Sequence, residues 1–220
     1  MNLIEITPHK ALNKAFLKVK PSRNEINTFK DNFKSLMGGI NENETEEFHK
    51  NLVTKFLRKT YYGDKYSINT KGRNDLVIHT GKDAHSPVGV IIEAKKPTNT
   101  AEMLRKDHIN VKAFQEMVLY YLRERITGGN LEIKYLIATN VYEWFIFDAS
   151  VFEKAFAHNS KFVKQFKDFE AGRLAGNNTD FFYKQVAEPE INAVENAIEF
   201  THSLTGKPWL NYLAGPANRQ

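Results

Sequence analysis

Eight residues, Val88-Gly-Val-Ile-Ile-Glu-Ala-Lys95, constrain the fold more than any other stretch of this chain. The apolar run from Val88 to Ile92 suits a strand covered on both faces, which implies helices packed against a sheet. The run then stops on two charged residues with an alanine between them. Side chains alternate along a strand, so Glu93 and Lys95 project together and Ala94 projects the other way. A second candidate strand, Asp75-Leu-Val-Ile-His79, lies just upstream across the turn-rich loop Gly81 to Pro87. Antiparallel pairing across that loop places Ile78 opposite Val90 and Asp75 opposite Glu93. Directly opposed side chains sit about 4.5–5.5 Å apart at Cβ, close enough for two carboxylates to share one hard cation.

The rest of the chain supplies helices before and after these strands. Ile26, Phe29, Phe33, Leu36 and Met37 follow a helical period, with a Ser22/Glu25 capping box in front and Gly38-Gly39 behind. A shorter helix is expected from His9 to about Lys18, and a further one from Asn43 to about Thr60, where Phe48, Leu52, Val53, Phe56 and Leu57 form one stripe. The period then changes to two over Tyr66 to Asn69, Asp75 to His79 and Val88 to Lys95, which predicts a three-strand antiparallel meander with a turn at Thr70-Lys-Gly-Arg73. A long helix from about Ala101 to Ile126 is followed by two strands, Lys134 to Thr139 and Trp144 to Asp148, around a hairpin turn. Beyond Ser150 the pattern predicts helices only, through Phe152 and Phe156, then Phe162, Phe166 and Phe169, then Ile191, Val194, Ile198 and Leu204. The expected fold class is α/β. It has a helical extension over 1–42, a core over 43–149 and a helical segment over 150–220 that leads toward any further domain.

Composition narrows the chemistry. The chain has no cysteine, so any metal must sit on oxygen or imidazole. No apolar run reaches the ~18 residues of a membrane span, and no secretory leader pattern opens the chain, so a cytoplasmic protein without membrane contact is expected. A net charge of +5 suits a polyanionic partner, and the five cations between Lys154 and Arg173, set against Asp168 and Glu170, are one surface that could meet phosphates. The alternative for that surface is an ordinary solvated helix face. There is no phosphate-binding Gly-rich loop, no dinucleotide fingerprint and no methyltransferase motif.

Two crowded carboxylates need a proton, a cation or a nearby ammonium group. Mg²⁺, which prefers oxygen ligands and is often held by one or two carboxylates, answers that need and stabilises charge on a phosphoryl transition state. A lysine beside such an ion would have its pKa depressed and could orient or deprotonate an attacking water. The opposing reading is a simple Glu93–Lys95 salt bridge.

Asn74-Asp75 followed by Glu93-Ala-Lys95, in this order of helices and strands, resembles the PD-(D/E)XK nuclease superfamily, with Asn in place of the usual Pro. Glu93-Ala-Lys-Lys-Pro97, Gln115 on the helix ending Tyr120-Tyr-Leu-Arg-Glu-Arg125, and Ala138-Thr-Asn140 with Glu143-Trp-Phe-Ile-Phe-Asp148 resemble the N-terminal nuclease domain of type IIG restriction-modification enzymes, with related segments in type I restriction subunits. The resemblance spans about Glu44 to Asp148. It implies a restriction-endonuclease-like core, with Asp75, Glu93 and the backbone carbonyl of Ala94 as ligands of Mg²⁺, for which Mn²⁺ can substitute. Lys95 is then the catalytic lysine and double-stranded DNA the substrate. It also implies methyltransferase and target-recognition domains on this or another chain, and a transient dimer on DNA is compatible with double-strand cutting.

In that family a glutamate of the first core helix often joins the metal, and Glu44, Glu46 and Glu47 are the candidates. At about 100° per residue Glu46 falls closest to the buried stripe, although Asn43 to Glu46 also fits a capping box. Gln115 falls at the edge of its helix's apolar stripe, but the family's aromatic one turn later is absent, since position 119 is leucine. His79 shares the Asp75 face and reads better as a hydrogen-bonded residue at the core edge. The alternative to a nuclease is a catalytically silent nuclease-like module for DNA binding or assembly.

Overall fold

The computed structural model describes residues 2–12, 14–63, 65–71 and 74–204, without the side chains of Phe16, Lys71, Asn74 and Asp75. Seven strands form one mixed sheet in the order β1-β7-β6-β5-β4-β3-β2. The strands are β1 (Asn2–Glu5), β2 (Ile68–Lys71), β3 (Asn74–His79), β4 (Val88–Ala94), β5 (Tyr135–Thr139), β6 (Glu143–Asp148) and β7 (Ala197–Leu204). The helices are α1 (Pro8–Ala11), α2 (Arg23–Gly38), α3 (Glu46–Leu57), α4 (Lys112–Leu122), α5 (Ala149–Phe152), α6 (Ser160–Glu170), α7 (Thr179–Phe181) and α8 (Glu188–Asn192). The chain is therefore α/β, with the expected meander of β2, β3 and β4 and the hairpin of β5 and β6. Ile78 pairs with Val90 in the expected register, and β4 runs parallel to β5. Gly72 and Arg73, in the expected turn between β2 and β3, lie outside the described residues, as do residues 205–220.

Alternation along the strands sorts the core into two layers. Leu76, Ile78 and Ile92 pack with Phe33, Leu36, Val53 and Phe56 of α2 and α3 on one face. Val77, Ile91, Leu136 and Phe147 pack with α4 and the C-terminal helices on the other. Glu93 and Lys95 continue the phase of Ile91, so the sheet aims them at the α4 side. The Ser22–Glu25 capping box forms as expected.

Four expectations are corrected. The helix assigned to Ala101 onward begins at Lys112. Met103, Leu104 and Ile109 are all buried, a spacing that no single helix face provides, and an Arg105–His108 bridge folds the segment back on itself. The helix expected from Asn43 starts at Glu46, capped by Thr45. The helix expected over His9 to Lys18 is limited to α1 and a 3₁₀ turn at Phe16–Lys18. Residues 197–204, read as helix, form β7 between β1 and β6. Ile198 and Phe200 point inward with Glu199 exposed between them, a two-residue period that completes the sheet edge left open by β6. The sheet thus incorporates strands from both flanking segments as well as from 43–149.

A polar latch clamps α4 to the segment after α5. Tyr121 is 2% exposed and donates its hydroxyl to Glu153 Oε2 at 2.5 Å, while Arg125 grips both oxygens of the same carboxylate at 2.8 and 2.7 Å. Burial pushes the Glu153 carboxyl up, but the hydrogen bonds from Arg125 and Tyr121 outweigh it and hold the group below the ordinary range. A carboxylate depressed on folding contributes stability above its unfolded pKa and loses it as pH falls through the folded value. Glu153→Gln should therefore cost about 1–3 kcal/mol at neutral pH and flatten the loss of stability below pH ~4.5. Urea unfolding at pH 7 and pH 4 measures both, and parallel pH profiles for the two proteins would contradict the assignment.

Candidate active site

The candidate site lies where β4 ends. Glu93 is 1% and Lys95 3% exposed, and the parallel ladder to β5 continues past the strand end through Lys95 N–H donating to Thr139 O at 2.8 Å. That bond fixes the backbone of Lys95 and aims its side chain into the crevice under α4. There the ammonium meets Glu116 Oε2 at 2.6 Å and Glu93 Oε1 at 2.8 Å. Glu102 Oε2 lies at 3.7 Å and Glu46 Oε1 at 4.0 Å. Four carboxylates from β4, α3, α4 and the segment before α4 thus surround one buried ammonium. Lys112 adds a second cation at the rim, 3.1 Å from Glu102.

Burial works to strip the proton from Lys95, yet Glu93 and then Glu116, through charge and hydrogen bonds, outweigh it and hold the lysine above its ordinary pKa. The sequence leads one to expect a lysine depressed beside a cation; among these carboxylates Lys95 is instead held up. Glu102 is held low: burial opposes this, but hydrogen bonds from Lys112 and Asn99 and the charge of Lys95 prevail.

Of the residues singled out from sequence, the structure brings Glu93, Lys95 and Glu46 together. Glu46 is the first residue of α3 and also accepts from Lys96 N–H at 3.4 Å. The Thr45 cap, which accepts from Phe48 N–H at 3.2 Å, leaves Glu46 unneeded for capping. Glu47 faces Lys50 at 3.3 Å instead. Asp75 lies in β3 one residue before Leu76, which pairs with Ile92, and its side chain lies outside the described ones. Ala94 is the last residue of β4. Gln115 is buried, and its amide donates to Asn110 Oδ1 at 3.0 Å, while Asn110 in turn donates to Glu188 O and Asn192 Oδ1 of α8. His79 is a structural pin between Ser86 O at 2.6 Å and Asn69 Oδ1 at 2.9 Å.

Glu116 and Glu102, which the sequence patterns do not single out, complete the cluster. The family resemblance singles out Gln115, and helical phase puts it at the edge of an apolar stripe, but every residue from Ala113 to Leu122 is buried. In a helix buried all round, phase carries no information. The usable signal was the acid itself, because a carboxylate within a covered apolar helix requires a cationic partner.

The donors around Lys95 are carboxylate oxygens, the chemistry that Mg²⁺ and Mn²⁺ prefer. Among the described residues no group of three or more acidic or histidine side chains is arranged as a ready cage for a metal ion. Among the described residues no helix is long and apolar enough to cross a membrane.

Fold and site together define an α/β protein with a buried lysine–carboxylate cluster at the C-terminal end of a central strand. A family model described as a domain of unknown function (DUF7149) matches residues 6–205, and the chain belongs to that family. No curated protein and no solved structure matches it.

Proposed function

We propose that this chain is a Mg²⁺-dependent endonuclease domain with a restriction-endonuclease-like core, hydrolysing phosphodiester bonds of double-stranded DNA in a restriction-modification system. The observation that carries the proposal is the meeting of Glu93 and Lys95 at one strand end; antiparallel pairing of Leu76 with Ile92 supports the expectation that Asp75 faces Glu93. Glu46, arriving from α3, adds the acid that the resemblance to PD-(D/E)XK nucleases anticipates. On this reading Asp75, Glu93, the Ala94 carbonyl and Glu46 hold the metal ion. When bound, the ion supplies charge stabilisation at the phosphate and acidifies water. Lys95 stands within hydrogen-bond reach of Glu93 and orients the water that attacks the phosphorus. Glu116 and Glu102 keep that ammonium charged and in place. Methylation and target reading belong to other domains, on this chain or another, and a transient dimer would bring two such sites to the two strands.

Supercoiled plasmid provides the test. Wild type should nick or linearise it only with Mg²⁺ or Mn²⁺. Asp75→Asn and Glu93→Gln should each lower the rate by at least ~10³-fold while retaining the duplex in a gel shift. Cutting that persists in both variants, or in chelator, overturns the proposal. Retention of DNA with no cutting under any metal supports the silent module instead.

A further inference from the structure

Residues 6–24 contain Lys10, Lys14, Lys18, Lys20 and Arg23 and not one acidic residue. With 31 lysines and arginines and 26 acids in the chain, everything outside this stretch is balanced at 26 against 26, so the whole net charge of +5 resides here. All five side chains are exposed, and none is ion-paired with a described residue. The acids that bracket the stretch are engaged elsewhere: Glu5 takes Lys106 at 2.9 Å, and Glu25 accepts from Ser22 N–H in the cap of α2 at 2.7 Å. The basic surface around α6 behaves differently. Lys161 pairs with Glu190 at 2.8 Å, and Lys164 and Arg173 share Asp168 at 2.9 and 2.6 Å, so three of its five cations are engaged by carboxylates.

Both ends of the basic stretch are tied to elements that build the Lys95 cluster. Ile6 N–H bonds Phe200 O at 2.8 Å. The Glu5–Lys106 pair then joins this end to the segment that carries Glu102. The other end runs into α2, which packs on α3, the helix that begins with Glu46.

We infer that Lys10, Lys14, Lys18, Lys20 and Arg23 form a docking arm for the phosphodiester backbone of duplex DNA. Five cations with no ion-pair partner among the described residues, on one exposed stretch, match a partner whose charge repeats every ~1.7 Å along its axis. An anionic lipid surface fits less well, because it is met by an unbroken amphipathic helix with an apolar face. Here Pro8, Pro21, a four-residue helix and a separate 3₁₀ turn interrupt any such face. The choice of duplex DNA rests on the proposed function, whereas the presence of a polyanion-binding arm does not.

The test is binding of the intact chain to a labelled duplex of random sequence, without divalent metal, by fluorescence anisotropy between about 50 and 200 mM salt. The variant K10Q/K14Q/K18Q/K20Q/R23Q should bind at least ~100-fold more weakly at the low-salt end, with a log–log salt slope shallower by about 4.5. K154Q/K161Q/K164Q/K167Q/R173Q should keep the wild-type slope, and replacing the four lysines of the arm by arginine should keep the affinity. Lys14→Gln and Lys18→Gln alone should each remove about 0.9 from the slope, which preserves the test if the fivefold variant fails to fold. Wild-type affinity and slope in all the glutamine variants of the arm would overturn the inference. So would an arm that binds phosphatidylserine vesicles and not the duplex. Cleavage is not the readout. A chain that binds through the arm but never cuts keeps this inference and loses the nuclease reading, and a chain that cuts normally without the five cations does the reverse.

Discussion

Lys95→Met will lower the free energy of unfolding by about 3–5 kcal/mol at neutral pH, the penalty typical of breaking a buried ion pair by removing one partner. Methionine fills nearly the same volume, so the loss is electrostatic. Lys95 is 3% exposed and Glu93 1%, and Glu93 and Glu116 both lie within hydrogen-bond reach of the one nitrogen. Without it, two adjacent carboxylates remain in a crevice closed to water. One of the pair must then take up a proton that the unfolded chain would release. A group raised on folding favours the native state at low pH and loses that advantage as pH rises through the raised value. The variant should therefore be more stable at pH 5 than at pH 8, with a steeper decline than wild type, and Glu93→Gln with Glu116→Gln added should recover most of the loss. Urea denaturation at the two pH values decides the matter. A cost under ~1 kcal/mol with an unchanged pH profile would mean that the cluster is solvated and the ammonium only one of several counter-ions.

The same cluster shows how far this sequence could be read. Glu93 and Lys95 were legible because a strand has a two-residue period and the apolar run left no doubt about its axis, and the β3–β4 register followed from the short loop between them. Glu46 was legible from the phase of an amphipathic helix with one true solvent face. Phase carries no information on α4, which is buried from Ala113 to Leu122, so it cannot separate Gln115, which the family resemblance singles out, from its neighbour Glu116. β7 was missed for a related reason. Ile191, Val194 and Ile198 suit a helical spacing, and only the open edges of β6 and β1, tertiary facts with no local trace, favour the alternating Ile198-Glu-Phe200 reading. Glu102 could not have been found from spacing, because the segment that carries it is shaped by three buried anchors and an Arg105–His108 bridge rather than by a regular period.

The second large effect tests whether the site depends on the packing beneath it. Phe114→Ala should cost about 3–5 kcal/mol, because the ring is fully buried at the centre of an aromatic group. Its centroid lies 5.4 Å from that of Phe147, 5.3 Å from Phe152 and 6.2 Å from Phe156. Phe152 and Phe156 belong to the segment that Glu153 latches to α4, so the void would open where that segment packs against the helix. Phe114→Leu fills most of the void and should cost no more than about 1.5 kcal/mol. Glu116 sits two residues along the same helix, and its 2.6 Å contact with Lys95 survives only if α4 keeps its place. On the proposed nuclease reading, the alanine variant should therefore lose cutting in excess of its unfolded fraction, measured at a temperature where it is still folded. If its specific activity per folded molecule equals that of wild type, the ammonium is positioned by the strand end and the Thr139 backbone alone, and Glu116 is a charge partner without a positioning role.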